Sequence, residues 1–211
     1  MLAIYYLTEN ALHLNSGLAD VLFGDVVPSG RLPFTVFKDL EQMRPMEDYD
    51  LTSQPGRTHM YYDDSSVAKL GSPQYWFGFG LSFSSFRYSN LSLSGTGCRV
   101  TAAVTVTNVG KVAAREVAQL YLGRPKPVSN VPMAAWALKG YQRTHVLAVG
   151  ASVTLHFEIN AQELSTVMHD GSRSVTAGSY TVKVGGANPR DTRAPASPVG
   201  GSVHVAAGCS A

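Results

Sequence analysis

From Val100 to Thr107 the chain alternates strictly, with Val100, Ala102, Val104 and Val106 on one side and Thr101, Ala103, Thr105 and Thr107 on the other. A period of two predicts a half-buried antiparallel strand, and Asn108-Val109-Gly110 closes it with turn residues. The same grammar recurs on either side. Phe86 and Tyr88, then Leu91 and Leu93 after a slip at Asn90, predict a preceding strand. Ala118, Leu120 and Leu122 alternate with Val117, Gln119 and Tyr121 until Pro125 and Pro127 stop the run. Ala135 to Val146 reads as an extended segment around Trp136, Leu138 and Tyr141. Val153, Leu155, Phe157 and Ile159 oppose Thr154, His156 and Glu158; a helical turn near Gln162 to Leu164 and a hairpin at Asp170-Gly171 then lead to a last strand over Ser179 to Val184.

Short strands at roughly ten-residue spacing predict a β-sandwich of immunoglobulin or fibronectin type III kind. Its core is expected to hold Val104, Leu120, Trp136, Leu155, Phe157 and Val182, with Tyr180 as a corner tyrosine tying a turn. Residues 187 to 211, with Pro189, Pro195 and Pro198 among Ala, Gly and Ser, predict a disordered tail.

The first part of the chain follows other rules. Residues 1 to 7 predict a short apolar strand, and Leu14, Leu18, Val21 and Leu22 place one apolar face on a helix from about residue 10 to Phe23. Gly24 ends it, and Pro28-Ser29-Gly30 turns the chain into a strand expected over Leu32 to Phe37. Strand, helix, strand is the unit of a parallel sheet, here too small to stand alone. Between the two grammars lies Pro73 to Phe86, where Trp76, Phe77, Phe79 and Phe83 are expected to bury apolar area on both flanks while Gly78 and Gly80 free the backbone. The Gly-x-Gly pair is not a phosphate cradle, because a β pattern follows where a helix N-terminus is needed.

Composition narrows the chemistry. A formal net charge of +2 on 211 residues, with scattered Lys and Arg, excludes a case for nucleic acid or an anionic membrane as partner. No apolar run approaches the ~20 residues that span a bilayer, and Met1 to Leu7 lacks the basic region and cleavage site of a signal peptide. Cys98 and Cys209 are the only cysteines; sequence cannot place them within reach of each other, and the absence of a cysteine framework favours two unpaired thiols. Asn90-Leu91-Ser92 is an N-glycosylation acceptor pattern. The six histidines show no metal-ligand spacing, and no nucleophile elbow, Walker loop or Cys-x-x-Cys is present, so neither metal nor cofactor is expected.

Acidic residues cluster in the loops: Glu47, Asp48 and Asp50, then Asp63 and Asp64. A glycosidase needs two carboxylates on different sides of a sugar in environments that separate their pKa values, so loop neighbours read instead as solvated acids. Arg57, His59 and Tyr61 suit sugar hydroxyls and ring faces better, with a loop-anchoring cluster as the alternative.

Three motifs stand in order: Gly24-Asp25-Val26-Val27-Pro28-Ser29-Gly30-Arg31-Leu32-Pro33-Phe34-Thr35, Pro55-Gly56-Arg57-Thr58-His59-Met60-Tyr61-Tyr62, and Phe77-Gly78-Phe79-Gly80-Leu81-Ser82-Phe83. In letters, order and spacing they resemble the C-terminal part of glycoside hydrolase family 3. That family runs from a catalytic barrel through an α/β sandwich domain to a fibronectin type III-like domain. The resemblance implies that residues 1–70 are the end of the α/β sandwich domain, 71–85 a connecting segment, 86–186 the fibronectin type III-like domain and 187–211 the tail. Thr8 to Asn15 stands where the family usually carries a glycine-rich loop.

The family's nucleophile is an Asp in an Asp-Trp context on the barrel, and no Asp-Trp occurs here. Its acid/base Glu lies upstream, so the resemblance carries no catalytic role onto Glu9, Glu41, Glu47, Glu116, Glu158 or Glu163. Pro45-Met46-Glu47-Asp48 ahead of Pro55-Gly56-Arg57-Thr58 is most similar to the β-xylosidase branch. Two functions are therefore weighed. One is the non-catalytic C-terminal portion of an extracellular or secretory-pathway β-xylosidase or β-glucosidase, contacting carbohydrate through Arg57, His59 and Tyr61 once a barrel is joined. The other is a stand-alone sandwich that binds a carbohydrate or a protein partner.

Overall fold

Strands with one apolar side must bury it, and two sheets facing each other do so. The computed structural model describes residues 14–62, 71–125 and 133–206. Helices α1 (Leu14–Phe23) and α2 (Thr58–Tyr61) come first, followed by β1 (Phe86–Thr96), β2 (Arg99–Asn108), β3 (Val117–Gly123), β4 (Ala137–Arg143) and β5 (Ser152–Ile159). A helical turn α3 (Ala161–Leu164), a ribbon of β6 (Thr166–Val167) and β7 (Arg173–Ser174), then β8 (Gly178–Gly185) and β9 (Val199–Val205) complete the order. One sheet runs β1-β2-β5 and the other β4-β3-β8-β9, with every pairing antiparallel.

The core lies between the sheets. Val100, Val104 and Val106 of β2 and Leu155, Phe157 and Ile159 of β5 meet Leu120 and Leu122 of β3 and Tyr180, Val182 and Val184 of β8. Each such side chain contributes about 1.5 to 3 kcal/mol by leaving water. The Tyr180 hydroxyl donates to the Thr176 carbonyl at 2.8 Å, the contact expected of a corner tyrosine. Asn160 and Glu163 close a reciprocal capping box on α3. The slip at Asn90 is a bulge: the β1–β2 register shifts between Ser89 and Ser92, and Asn90 has φ 52°.

Several expectations need correction. Residues 187–206 are not a disordered tail, because β9 pairs with β8 from Gly178–Val205 to Val184–Val199 and buries Val203 and Val205. The sandwich therefore extends beyond residue 186, and β9 covers what would otherwise be an open edge of β8. Trp136 is half-buried outside the core, since Ala137 takes the inward position and the Lys183 ammonium lies 5.0 Å from the indole centroid. Leu32 to Phe37 forms no strand. A single bridge joins Val36 to Tyr75, and Pro33 lacks the N–H that would extend a ladder. Cys98 is disulfide-bonded, against the reading of unpaired thiols. It sits at the β1–β2 turn, and β9 packs against β1, with a Cβ at Gly95 falling 2.5 Å from Val203. Cys209, the strand expected over residues 1 to 7 and the start of the first helix lie outside the described residues.

The connecting segment packs on the outer face of β3. Gly78 (φ 82°) lies against Gln119, whose Nε2 donates to the Gly78 carbonyl at 2.9 Å and the Gly186 carbonyl at 3.0 Å, while the Tyr121 hydroxyl donates to Gln119 Oε1 at 2.7 Å. This explains why β3 is buried on both sides: one faces the core and the other faces this segment. Trp76 is 1% exposed and Phe79 is buried, yet Phe83, expected to be buried with them, is 53% exposed.

Residues 186–193 strap the same segment from the other side. Arg190 lies 5.6 Å from the Trp76 ring centroid, and Arg193 lies 5.2 Å from that of Tyr75. Beneath them, Arg31 Nη2 meets Glu116 Oε2 at 2.8 Å, the Tyr88 hydroxyl donates to Glu116 Oε1 at 2.7 Å, and Arg31 Nε donates to the Gly186 carbonyl at 2.8 Å. Burial and the Glu116 charge hold the Tyr88 phenol well above its usual pKa, so it stays a donor.

Candidate functional site

An apolar groove of about 800 Å³ lies on the N-terminal part. Its walls come from the chain between Pro33 and Met46, the turn from Leu51 to Arg57, α2, and Phe77. Gln42 pins one wall: its Oε1 accepts from the Lys38 N–H at 2.7 Å, and its Nε2 donates to the Tyr62 hydroxyl at 3.2 Å and the Gly71 carbonyl at 3.0 Å. The other wall contains a cis Gln54–Pro55 peptide and Gly56 at φ 86°. A Cβ at Gly56 would stand 2.2 Å from the Tyr61 carbonyl oxygen, so glycine alone lets the turn fold onto α2.

Arg57 and His59 line this groove, and Tyr61 does not. Arg57 donates from Nη2 to the Pro45 carbonyl, and its buried Nε has no acceptor among the described residues. The His59 ring stacks on Phe77 with centroids 3.9 Å apart and planes 12° from parallel. Burial lowers the imidazole pKa, which keeps the ring neutral against its apolar neighbours. Tyr61 lines a separate cleft of about 370 Å³ with Gln54, Pro55, Met60 and Arg190. Residues two apart on a helix point to different sides, which separates His59 from Tyr61. Sequence reading missed the hydrophobic lining, Phe34, Phe37, Met43 and Met46, because side chains from an irregular loop leave no period to follow.

Several acids of the described residues hold structure. Asp48 pairs with Arg44, and Asp50 accepts from the Thr52 N–H and hydroxyl at 2.8 Å and from the Ser53 hydroxyl at 2.5 Å. Those bonds hold the Asp50 carboxyl well below the usual range, and the Ser172 hydroxyl and N–H do the same to Asp170. A catalytic acid needs the opposite shift. Glu116 is committed to Arg31 and Tyr88, and Glu163 to its capping box. Asp63 and Asp64 lie outside the described residues. No group of three or more His, Cys, Asp or Glu is placed to hold a metal ion among the described residues, and none of their helices is long and apolar enough to cross a membrane.

Residues 1–83 match the glycosyl hydrolase family 3 C-terminal domain, and residues 116–188 match the fibronectin type III-like domain. The chain is the C-terminal part of a family 3 glycoside hydrolase sequence. It is 34% identical to the β-glucosidase cel3A of Pyricularia oryzae over 84% of this chain and 27% of that protein. A β-xylosidase of Formosa agariphila is 30% identical over 90% of the chain and 27% of its own length. The crystal structure of the β-D-glucoside glucohydrolase from Trichoderma reesei superposes with a TM-score of 0.76 at 29% identity, over 93% of this chain and 29% of that one. The chain thus spans about a quarter of the length of the family 3 relatives it matches.

Proposed function

We propose that this chain serves as the C-terminal portion of a β-glycosidase that removes terminal β-linked glucose or xylose, and that by itself it is not catalytic. The observation that carries the reading is continuity: one match runs across both grammars of the chain, yet covers about a quarter of enzymes named for that activity. A module that bound its partner alone would give no reason for the α1 surface to leave Leu22 and Phe23 bare, the latter 84% exposed. Arg57 and His59 are the chain's contribution to the sugar-binding cleft when a barrel completes it. A guanidinium suits sugar hydroxyls, and a neutral ring suits an apolar sugar face. Tyr61, facing another cleft, contributes indirectly through the position of α2. Residence in an extracellular or secretory compartment is supported by the disulfide at Cys98.

The test is hydrolysis of aryl β-glucoside and β-xyloside by the purified 211-residue chain. The expected outcome is no turnover above a mock preparation, because glycoside hydrolysis needs a nucleophile and a positioned acid. Turnover abolished by Asp48→Asn or Asp50→Asn would overturn the reading. Saccharide binding by the chain alone, lost in Arg57→Ala, would favour the stand-alone module.

A further inference from the structure

Asn90-Leu91-Ser92 is a motif that neither the sandwich core nor the groove accounts for. We infer that Asn90 is a modification site, carrying an N-linked oligosaccharide on its side-chain amide. The inference rests on the β1–β2 hairpin and is independent of the glycosidase reading.

The hairpin presents the acceptor rather than burying it. Between Ser89 and Ser92 the register shifts, so Asn90 and Leu91 leave the regular ladder. Leu91 turns inward to pack against the core, and Asn90 and Ser92 are both exposed. Asn90 adopts φ 52°, the left-handed conformation that asparagine tolerates better than most residues. Its carboxamide has no hydrogen-bond partner among the described residues, so no native contact is lost when a sugar is attached. β1 has no hydrogen-bonded strand beyond β2, and although β9 packs near Leu91 and Leu93, the Asn90 side chain remains exposed.

A second observation places the same hairpin in the right compartment. Cys98, at the β1–β2 turn, is disulfide-bonded. Disulfides persist in oxidising surroundings, and in a eukaryotic cell the endoplasmic reticulum lumen that forms them is also where sugar is transferred to asparagine. The donor class is a lipid-linked oligosaccharyl diphosphate. A bond forms between Asn90 Nδ2 and the anomeric carbon, the bond from that carbon to the phosphate oxygen breaks, the amide gives up one proton, and the lipid diphosphate leaves. The transfer involves no oxidation or reduction.

The experiment is to secrete the full chain from cultured eukaryotic cells behind a cleavable leader, and to measure its intact mass and the mass of the peptide containing Asn90. The expected result is a mass above that of the polypeptide by one oligosaccharide. Peptide N-glycosidase should remove it and convert Asn90 to Asp. Both Asn90→Gln and Ser92→Ala should abolish the increment. Ser92→Ala keeps asparagine at the left-handed position, so its effect does not depend on backbone strain. An unmodified Asn90 peptide in the secreted wild-type chain, or an increment that survives Ser92→Ala, would overturn the inference.

Discussion

Gly78 shows how one residue joins the two parts of the chain. Its φ of 82° is closed to most side chains, and a Cβ there would meet Gln119 Oε1 at 2.3 Å and the Tyr121 hydroxyl at 2.6 Å. Those two groups hydrogen-bond to each other and cannot withdraw without leaving buried polar atoms unpaired. Gly78→Ala is therefore expected to cost about 2 kcal/mol or more. Gly24→Ala is the control: φ is 87° but the surrounding space is open, so only backbone strain of about 1 kcal/mol is expected. Chemical denaturation midpoints measure both, and equal shifts would sink the idea that the Gln119 contact is what requires glycine. The glycine itself was visible in the sequence. Its partner, 41 residues away, was not.

At the scale of elements, legibility tracked how cleanly a segment alternates. β2 reads directly because each apolar residue on one side has a threonine or alanine on the other, and the β1 bulge appears as a broken period at Asn90. β9 alternates too, with Val199, Gly201, Val203 and Val205 against Gly200, Ser202 and His204. Glycines and prolines around it diluted that signal into the composition of a tail. Ending the chain at Gly186 tests the difference. It removes two buried valines, worth roughly 3 kcal/mol or more, and uncovers the edge of β8. The shortened chain is expected to unfold at lower denaturant concentration and to associate, read by light scattering. An unchanged midpoint would mean that β9 is only loosely attached.

For the whole molecule, the question is what holds the N-terminal part to the sandwich. Trp76 packs edge-on against Tyr62 with centroids 6.0 Å apart, and Phe77 lies under His59. A chain starting at Gly71 loses both covers while keeping the aromatic segment. It should expose a contiguous apolar patch and self-associate as concentration rises, measured by sedimentation or light scattering. A chain starting at Gly71 that stays monomeric at high concentration would show that this segment does not cement the two parts.

The sequence by itself determined the local periods, and with them the sandwich strands before β9, its corner tyrosine and the family motifs. These follow from neighbours along the chain, where a period of two or a glycine in a turn has one physical meaning. Only the tertiary structure decided what faces what. It put Arg57 and His59 in one groove and Tyr61 in another, engaged Cys98 in a disulfide, made a strand of the expected tail, and turned Glu116 into the partner of Arg31 and Tyr88. Each of those outcomes rests on contacts between residues far apart in sequence, and such contacts leave no periodic mark on either partner alone.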